Sequence, residues 1–248
     1  KISKRIDEII QTGDLHELSE YDNLPSVDNN TINLENLLLI TGVGDVRAKK
    51  WLEMGIKNIN DVKEAIKGNK IKTTHHIDIG IKYYIDFQQK IPRAEIDKIK
   101  NLMEGILMGI DPLLKFEICG SYRRGNSQSG DIDILITHPN YENIGNHESS
   151  ENEKKKSDKK KSKNHLKNIV YLLKKENFVI DSLTENGDTK FMGVCKLNGH
   201  AIARRIDIRV VEYKSFYTSV LYFTGNKEFN LYIRNKALEK NYSLNEYC

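Results

Sequence analysis

The chain is poor in cysteine and proline and lacks any long apolar run. Its three cysteines (Cys119, Cys195 and Cys248) show neither CxxC spacing nor a Cys/His ligand pattern, which argues against a disulfide framework and a zinc site. No apolar stretch approaches the roughly 20 residues that cross a bilayer, and the charged first residues are not typical of a signal peptide. We therefore expect an intracellular protein that is neither secreted nor embedded in a membrane.

A strong excess of one charge is also absent. The 39 basic and 35 acidic residues give a formal net charge of +4, so binding of a polyanion would depend on where the charges lie. A hydrophobic content of 38% over 248 residues is sufficient for one large or a few small packed domains. The composition thus predicts a folded, mildly basic protein.

Hydrophobic periodicity divides the chain into a helical first part and a sheet-containing second part. Residues 1–19 carry amphipathic helical patterns that start without an initiator Met, so we expect further sequence before them. A polar linker follows at 21–31. Short helices and glycine turns alternate over 32–89, and Pro92 opens a predicted helix over 93–109. Short β-rich runs follow at 115–119, 131–137, 190–197 and 205–211.

One segment of the second part is too charged to pack. Residues 141–165 include a run of lysines with few apolar side chains, which predicts a disordered surface insertion within a domain. Its lysines are typical of a solvated loop, although binding of nucleic acid or a nuclear signal stays open. A helix over 166–176 is expected to resume the core.

The strongest chemical pattern is GSYRRGNSQSGDID, residues 120–133. Asp131 and Asp133 are two residues apart at the start of a predicted strand, which directs both carboxylates to one face while Ile132 and Ile134 point to the core. Two acids on one face repel each other unless a cation joins them. Because Mg²⁺ prefers oxygen ligands and binds substrate phosphates, the pair predicts a metal–triphosphate site. Taken alone, such a pair is more often two solvated acids on an edge strand.

A third carboxylate strengthens the interpretation. Asp207 lies between Ile206 and Ile208 in another predicted strand, where an unpartnered charge would be costly. Two-metal phosphoryl transfer needs a further carboxylate of this kind to activate the attacking hydroxyl. Arg205 and Arg209 share its face and are predicted to support it.

The residues before the acid pair are suited to phosphate. Gly120 and Ser121 allow the backbone to approach phosphate oxygens, and Ser121, Arg124 and the amide of Gly130 are candidate ligands of a triphosphate. Together with the three acids, they form the signature of a nucleotidyltransferase.

At this point the chain resembles the X family of DNA polymerases. The resemblance also covers residues 38–94 and extends over nearly the whole chain apart from the Lys-rich insertion. The segments that carry it are CGSYRRGNSQSGDIDILITHP (119–139), TKFMGVC (189–195), RRIDIR (204–209) and LYFTGNKEFNLYIRNKALEKNYSLNEY (221–247).

The resemblance implies a fold and a domain order. The fold is α+β and multidomain, with a helical helix-hairpin-helix domain, a nucleotidyltransferase palm of mixed sheet flanked by helices, and a partial C-terminal nucleotide-binding subdomain. The expected ranges are 1–24 for the remnant of a lyase-like domain, 25–92 for the fingers-like DNA-binding domain, 93–213 for the palm and 214–248 for the incomplete nucleotide-selection subdomain. The family pattern continues with further strands and a helix where this chain ends.

The resemblance also implies roles for single residues. Asp131 and Asp133 would bind two Mg²⁺ ions, for which Mn²⁺ is a possible substitute, and Asp207 would complete the catalytic metal site and take the proton of the primer 3′-hydroxyl. The residues expected to bind the incoming nucleotide are Lys90, Ser121, Arg124, Gly130, Tyr222, Phe223, Gly225, Asn230 and Arg234. An aromatic wall at Tyr222 and Phe223 would favour deoxyribose by crowding a 2′-hydroxyl.

A Gly-Val-Gly turn between two predicted helices suggests contact with the DNA backbone. Gly42 and Gly44 would expose amides to a phosphate, with the cations Arg47, Lys49 and Lys50 nearby. A lone turn of this kind is weak support, and the resemblance strengthens it to a helix-hairpin-helix. The family's Na⁺ or K⁺ site would then use backbone carbonyls around Leu38, Ile40 and Val43.

Two further features have limited chemical meaning. His75 and His76 are adjacent and have no acid or cysteine at ligand spacing, so we assign them to structure. In the lyase-like segment, the position of the expected Schiff-base lysine is occupied by Arg5, whose guanidinium cannot act as that amine. We therefore expect little or no lyase activity, unless Lys1 or Lys4 substitutes.

These patterns predict a template-directed, gap-filling DNA polymerase of the base-excision-repair type. The expected partners are gapped or primer-template DNA and a dNTP, with no membrane, and the protein is expected to be a monomer in the nucleus, or in the cytoplasm if viral. Alternatives are a template-independent terminal transferase, an RNA nucleotidyltransferase and a catalytically weak DNA-binding scaffold. The three acids argue against the scaffold.

Overall fold

The computed structural model describes residues 10, 29–141, 154–184 and 187–244, and only the backbone of 154–164. The chain divides into two compact units, with the boundary after Thr73. Within the described ranges, every helix is too short or too polar to cross a lipid bilayer. The lyase-like segment with Arg5, residues 142–153 of the Lys-rich insertion and the chain end at 245–248 lie outside the described residues.

The first unit consists of short helices around a small apolar core. The helices are α1 (Asn29–Leu38), α2 (Asp45–Glu53) and α3 (Ile59–Lys67). Leu37, Ile40, Ala48 and Val62 are fully buried between them, which provides the apolar contact that helices of nine or ten residues need for stability. The side chain of Asn58 caps α3 by accepting from the amides of Asn60 and Asp61.

The second unit contains the sheet. Its helices are α4 (His75–Lys82), α5 (Tyr84–Phe87), α6 (Arg93–Ile110), α7 (Gly120–Arg123), α8 (Lys154–Lys175), α9 (Phe216–Thr224) and α10 (Lys227–Glu239), with a 3₁₀ turn at Tyr213–Ser215. Its strands are β1 (Ile91–Pro92), β2 (Lys115–Ile118), β3 (Gln128–Ser129), β4 (Ile132–Thr137), β5 (Val179–Ser182), β6 (Lys190–Cys195) and β7 (Arg204–Val210).

Five of these strands form a mixed sheet in the order β2-β4-β7-β6-β5. The pair β4 and β7 is parallel and the other neighbours are antiparallel, while β1 and β3 form a separate two-stranded pair. Helices α6 and α8 cover one face of the sheet through a core that includes Met103, Leu173 and Phe191. The predicted α+β class with a mixed sheet flanked by helices is confirmed.

The other face of the sheet is covered only in part. Phe216 and Val220 of α9 pack on Cys119 and Leu135, at the β2–β4 end of the sheet. The half-buried side chains of β7 face the uncovered part. An open, polar site can therefore form beside an apolar core.

The four predicted strands and the helix predicted over 93–109 lie within two residues of their observed bounds, and the largest difference is the length of another helix. The helix expected at 166–176 begins at Lys154, so the structure has helix at 154–165, where the sequence predicts a disordered insertion. The physical reason is that lysine is a good helix former and this run contains neither glycine nor proline to end a helix.

The contact boundary after Thr73 also differs in position from the predicted domain boundary after residue 92. Helices α4 and α5 bond to the strands of the second unit: Lys82 Nζ lies 2.8 Å from Asp181 Oδ2, and Asp86 Oδ2 accepts from the amide of Ala203 at 3.1 Å. These contacts join sequence-distant residues, which a periodicity analysis does not detect. The predicted domain ranges stay a prediction.

Candidate active site

The three predicted acids come from the centre of the sheet. Asp133 of β4 lies directly opposite Asp207 of β7 in the parallel register, and Asp131 comes immediately before β4. In β7 the core-facing positions Ile206 and Ile208 are fully buried, whereas Asp207 between them is only half-buried. Strand alternation therefore directs Asp207 to the uncovered face, as predicted.

Burial and mutual repulsion make this group of acids electrostatically unfavourable. Burial, and then the charges of Asp131 and Asp207, raise the pKa of Asp133 to about 7. Burial is also the largest cause that raises the pKa of Asp207, against the opposing effect of Arg205. Within the described part of the chain, Asp207 Oδ1 is buried and accepts no hydrogen bond.

The two predicted supporting arginines lie on the same face of β7 as Asp207, but they have different contacts. The Nη2 of Arg205 donates a hydrogen bond to Asp131 Oδ2. On Asp207, Arg205 acts through its charge, which lowers the pKa of that carboxyl. Arg209 stacks over the ring of Phe223 at 4.8 Å. The sequence gives the shared face through strand alternation, but it contains no signal for these partners.

The donor set suits hard divalent cations. Carboxylate oxygens are the ligands that Mg²⁺ prefers, and a cation would relieve both the raised pKa of Asp133 and the unsatisfied oxygen of Asp207. As the side chains stand, no cluster of three or more His, Cys, Asp or Glu residues in the described ranges is close enough to hold a metal. Asp131 would first have to exchange its bond to Arg205 for the cation.

A glycine provides the space for this acid group. Gly120, at the start of α7, has φ +60°, and a Cβ added there would lie 2.8 Å from Asp133 Oδ2. Both the backbone conformation and the close approach therefore require glycine. The short helix α7 that follows carries Ser121, whose Oγ hydrogen-bonds Ser129 Oγ at 2.8 Å.

The predicted phosphate-binding residues surround one groove beside the acids. The groove is lined by Lys90, Ser121, Arg124, Asn126, Ser127, Gln128 and Gly130. Lys90 Nζ would lie 3.9 Å from a Cβ built on Gly130, so the amine stands over that glycine. Asn126, Ser127 and Gln128 were not identified from the sequence as groove residues. Their position in a polar turn between Gly125 and Gly130 could have indicated this role.

The predicted sugar and base residues surround an adjoining cavity of about 610 Å³. Asn230 Nδ2 donates to the carbonyl of Tyr222 at 2.8 Å, and Arg234 stacks over the Tyr222 ring at 4.9 Å. Arg124 Nη1 donates to the carbonyl of Thr224 at 2.5 Å. The full lining is Gly120, Ser121, Arg124, Asp131, Asp133, Tyr222, Phe223, Thr224, Gly225, Asn226, Lys227, Asn230, Leu231 and Arg234.

That cavity unites residues from distant parts of the chain. All the predicted nucleotide residues line it or the phosphate groove, together with Asp131 and Asp133, while Asp207 lies beside Asp133 on the next strand. Lys227 and Asn226, at the start of α10, were missed because they follow the aromatic motif without a pattern of their own. The arrangement can hold a polyphosphate next to three carboxylates.

In the first unit, the predicted DNA-binding residues lie around the turn between α1 and α2. Gly42 has φ +92°, and Gly44 precedes the first residue of α2. Lys49 and Lys50 are exposed, whereas Arg47 is half-buried. Ile40 and Val43 are buried and Leu38 is partly exposed, and the carbonyl of Ile40 accepts from the amide of Val43 at 3.0 Å.

The histidine pair, for which the sequence predicts a structural role, lies at the start of α4. His75 Nε2 lies 2.7 Å from the carbonyl of Ser182, which joins α4 to the end of β5. Burial, and then the charges of Arg205 and Lys190, lower the pKa of His76.

Comparisons with known proteins match most of the chain. The profile of the DNA polymerase beta palm matches residues 90–213, that of the fingers domain of DNA polymerase lambda matches 35–88, and that of the DNA polymerase beta thumb matches 219–248. DNA polymerase lambda of Rattus norvegicus is 31% identical over 253 residues, which cover 100% of this chain and 39% of that protein. DNA polymerase lambda of Arabidopsis thaliana is 30% identical over 250 residues, covering 97% of this chain and 42% of that protein.

The chain thus spans about two fifths of the length of the curated relatives it matches. The palm profile alone covers half of the chain and contains the three acids, the phosphate groove and the mixed sheet. On this match the chain belongs to the X family of DNA polymerases, which includes DNA polymerases beta and lambda.

Proposed function

We propose that the chain is a DNA-directed DNA polymerase that fills short gaps during DNA repair of the base-excision type. The single observation that supports this best is the register that places Asp133 opposite Asp207, with Asp131 two residues before Asp133 and a polar groove beside the acids. The relatives named above are DNA polymerases. The substrates would be a dNTP and a gapped or primer-template duplex, and the protein would act as a monomer in the nucleus.

In the proposed reaction, the primer 3′-oxygen forms a bond to the α-phosphorus of the dNTP, and the bond from that phosphorus to the pyrophosphate oxygen breaks. Asp131, Asp133 and Asp207 would hold two divalent ions, Mg²⁺ or Mn²⁺, which supply Lewis-acid stabilisation of the phosphate charge. Asp207, with its unsatisfied buried oxygen, accepts the proton of the 3′-hydroxyl. Lys90, Ser121, Arg124 and the amide of Gly130 bind the triphosphate.

Selection of the nucleotide would depend on α9 and α10. Tyr222 and Phe223 form an edge-to-face pair with ring centroids 5.1 Å apart, next to the cavity that holds Gly225 and Asn230. A rigid aromatic wall disfavours a sugar with an additional 2′-hydroxyl. Arg234, held against Tyr222, would face the template side of the nascent pair.

The first unit would bind the DNA backbone as a helix-hairpin-helix. We propose that Gly42 and Gly44 present backbone amides to a phosphate, that Arg47, Lys49 and Lys50 add charge, and that a Na⁺ or K⁺ ion binds the carbonyls around Leu38, Ile40 and Val43. Binding of this kind is independent of base sequence and weakens with salt.

The experiment is extension of a primer across a one-nucleotide gap, with each of the four dNTPs tested separately and Mg²⁺ present. We expect the dNTP complementary to the template base to be incorporated far faster than the others. Equal rates for all four dNTPs would indicate a terminal transferase, and faster use of ribonucleotides an RNA nucleotidyltransferase. Either result would contradict the proposal, as would unchanged activity in the Asp207→Ala variant.

A further inference from the structure

The strand that carries Asp207 begins with an arginine whose role the active site leaves unexplained. Arg204 is the first residue of β7, only 5% exposed, and on the core side of the strand. Its neighbour Arg205 points to the opposite face, toward the acids. Arg204 therefore cannot touch a substrate held by those acids, yet a buried guanidinium needs a strong reason to be retained.

Arg204 is the centre of a buried hydrogen-bond network. Its Nε and Nη2 donate to Oε1 and Oε2 of Glu95, each at 2.9 Å, in the two-pronged geometry that suits a guanidinium and a carboxylate. Glu95 is 7% exposed and lies in the first turn of α6, and His200 Nδ1 lies 4.0 Å from its Oε2. The pair joins β7 to the start of α6.

The third nitrogen of the Arg204 guanidinium, Nη1, bonds to the chain just before β1. It donates to the carbonyl of Gln89 at 3.0 Å and to that of Lys90 at 3.3 Å. Immediately afterwards, Ile91 and Pro92 pair with Ser129 and Gln128 of β3. The backbone of Lys90 is thus fixed by Arg204 on one side and by the β1–β3 pair on the other.

This position matters because Lys90 lines the phosphate groove. Its amine stands over Gly130, in the groove that Arg124 and the polar turn before β3 also line. A lysine is a point charge on a flexible stem, so it depends on a fixed backbone to stay in one place. From these contacts we propose that Arg204, clamped by Glu95, is a positioning residue that sets Lys90 for binding of the nucleotide polyphosphate. The proposal rests on the proposed function of the groove.

A test has to separate loss of positioning from loss of folding. Removing only Arg204 or only Glu95 would leave a buried charge without its partner, and such a variant can fail to fold. Replacing both with methionine removes the two charges together, which is often tolerated in protein interiors, and still breaks the clamp on the carbonyls. Glu95→Met/Arg204→Met is therefore the informative variant, with its folding checked by a cooperative urea transition.

The measurement is a double-variant cycle in gap filling. We expect Lys90→Ala to raise the KM for the dNTP by roughly tenfold, in line with loss of one charge-assisted hydrogen bond. Glu95→Met/Arg204→Met should raise the same KM several-fold with a smaller change in kcat, and adding Lys90→Ala to it should give no more than Lys90→Ala alone. If the two increases multiply, Arg204 acts independently of Lys90 and the proposal is wrong. Lys82→Met, which removes an exposed ion pair with Asp181 in the same unit, is the control and should leave the KM unchanged.

Binding of inorganic tripolyphosphate, measured by calorimetry on the full chain without DNA, makes the two proposals distinguishable. We expect the native chain to bind it, and Lys90→Ala and Glu95→Met/Arg204→Met to weaken binding to a similar degree. This pattern without any dNMP incorporation would contradict the proposed polymerase function and support the positioning role. Failure of the native chain to bind tripolyphosphate, or full binding by the methionine variant, would overturn the positioning role.

Discussion

The two faces of strand β7 differ in what they contribute to the molecule. On the core face, Ile206 and Ile208 are fully buried against the apolar side chains of the two long helices. On the other face, Asp207 has a pKa that burial raises and an oxygen that accepts no hydrogen bond within the described ranges. Side chains in a strand alternate between the two faces of the sheet. In β7, the residues on the core face therefore stabilise the fold, while Asp207 on the other face is an energetically unfavourable group that is suited to chemistry.

The largest test of this comparison is Asp207→Asn, which keeps the shape and removes the charge. We expect the rate of primer extension to fall by at least about 10³-fold, because metal-dependent stabilisation of the transition state supplies several kcal/mol. DNA binding, measured by fluorescence anisotropy, should be largely kept. The free energy of unfolding at pH 7 should stay the same or rise, since an unfavourable buried charge is removed. A loss of stability together with normal extension would show that Asp207 stabilises the fold and is not needed for the reaction.

The core side of the sheet can be tested at Phe191 of β6, whose side chain is fully buried. Phe191→Ala should lower the free energy of unfolding by about 3–5 kcal/mol, because the substitution leaves a cavity among close-packed side chains. The measurement is urea denaturation followed by circular dichroism. At temperatures where the variant is still folded, the KM for dNTP should change little. A small loss of stability would mean that the core relaxes around the cavity.

The acid group should also give the metal-free chain a characteristic pH dependence. The folded-state pKa of Asp133 is raised to about 7, above the value of about 4 for an unfolded aspartate. The folded state therefore holds this proton more tightly, so this group's contribution to stability is full below about pH 4, declines between about pH 4 and 7, and is constant above. The expected size is a few kcal/mol.

The check is the free energy of unfolding at several pH values in the presence of a chelator. Asp133→Asn should remove most of the decline between pH 4 and 7, while titrating groups outside the acid group act equally in both proteins. Identical pH profiles for the native chain and the variant would show that Asp133 titrates as an ordinary aspartate.

The smallest expected effect concerns the glycine beside Asp133. Gly120→Ala places a Cβ 2.8 Å from Asp133 Oδ2 at a residue with φ +60°, so it should cost about 1–3 kcal/mol of stability and slow extension by moving the carboxylate. Gly125→Ala is the matched control, because Gly125 has φ +85° but nothing within 4 Å of an added Cβ. It should show a similar backbone cost with little loss of activity. Equal losses of activity in both variants would attribute the effect to the loop rather than to Asp133.

Local patterns in the sequence were sufficient for the central strands and their acids. The isoleucines on either side of Asp133 and Asp207 mark both the strands and the face on which each carboxylate lies, because side chains in a strand alternate. Gly120 and Ser121 were recognisable for a similar reason, since a turn next to phosphate requires small residues.

Contacts between distant residues were not accessible in this way. Nothing near Arg204 in the sequence indicates that it reaches Glu95 and the carbonyl of Lys90, more than 100 positions earlier. The pairing of Arg205 with Asp131, and the attachment of α4 and α5 to the sheet, depend equally on tertiary packing. The early start of α8 was missed for another reason: a lysine run satisfies the criteria for disorder and for helix propensity alike.

The parallel register of β4 and β7 has a consequence for how this chain can vary in length. Asp133 and Asp207 are neighbours through hydrogen-bonded strands, although a crossover of more than 60 residues connects those strands along the chain. The separation of the two carboxylates is thus set by the sheet and not by the connection. Closing a longer loop costs little additional entropy, so residues can be gained or lost in the loops between α8, β5, β6 and β7 without moving the two carboxylates apart.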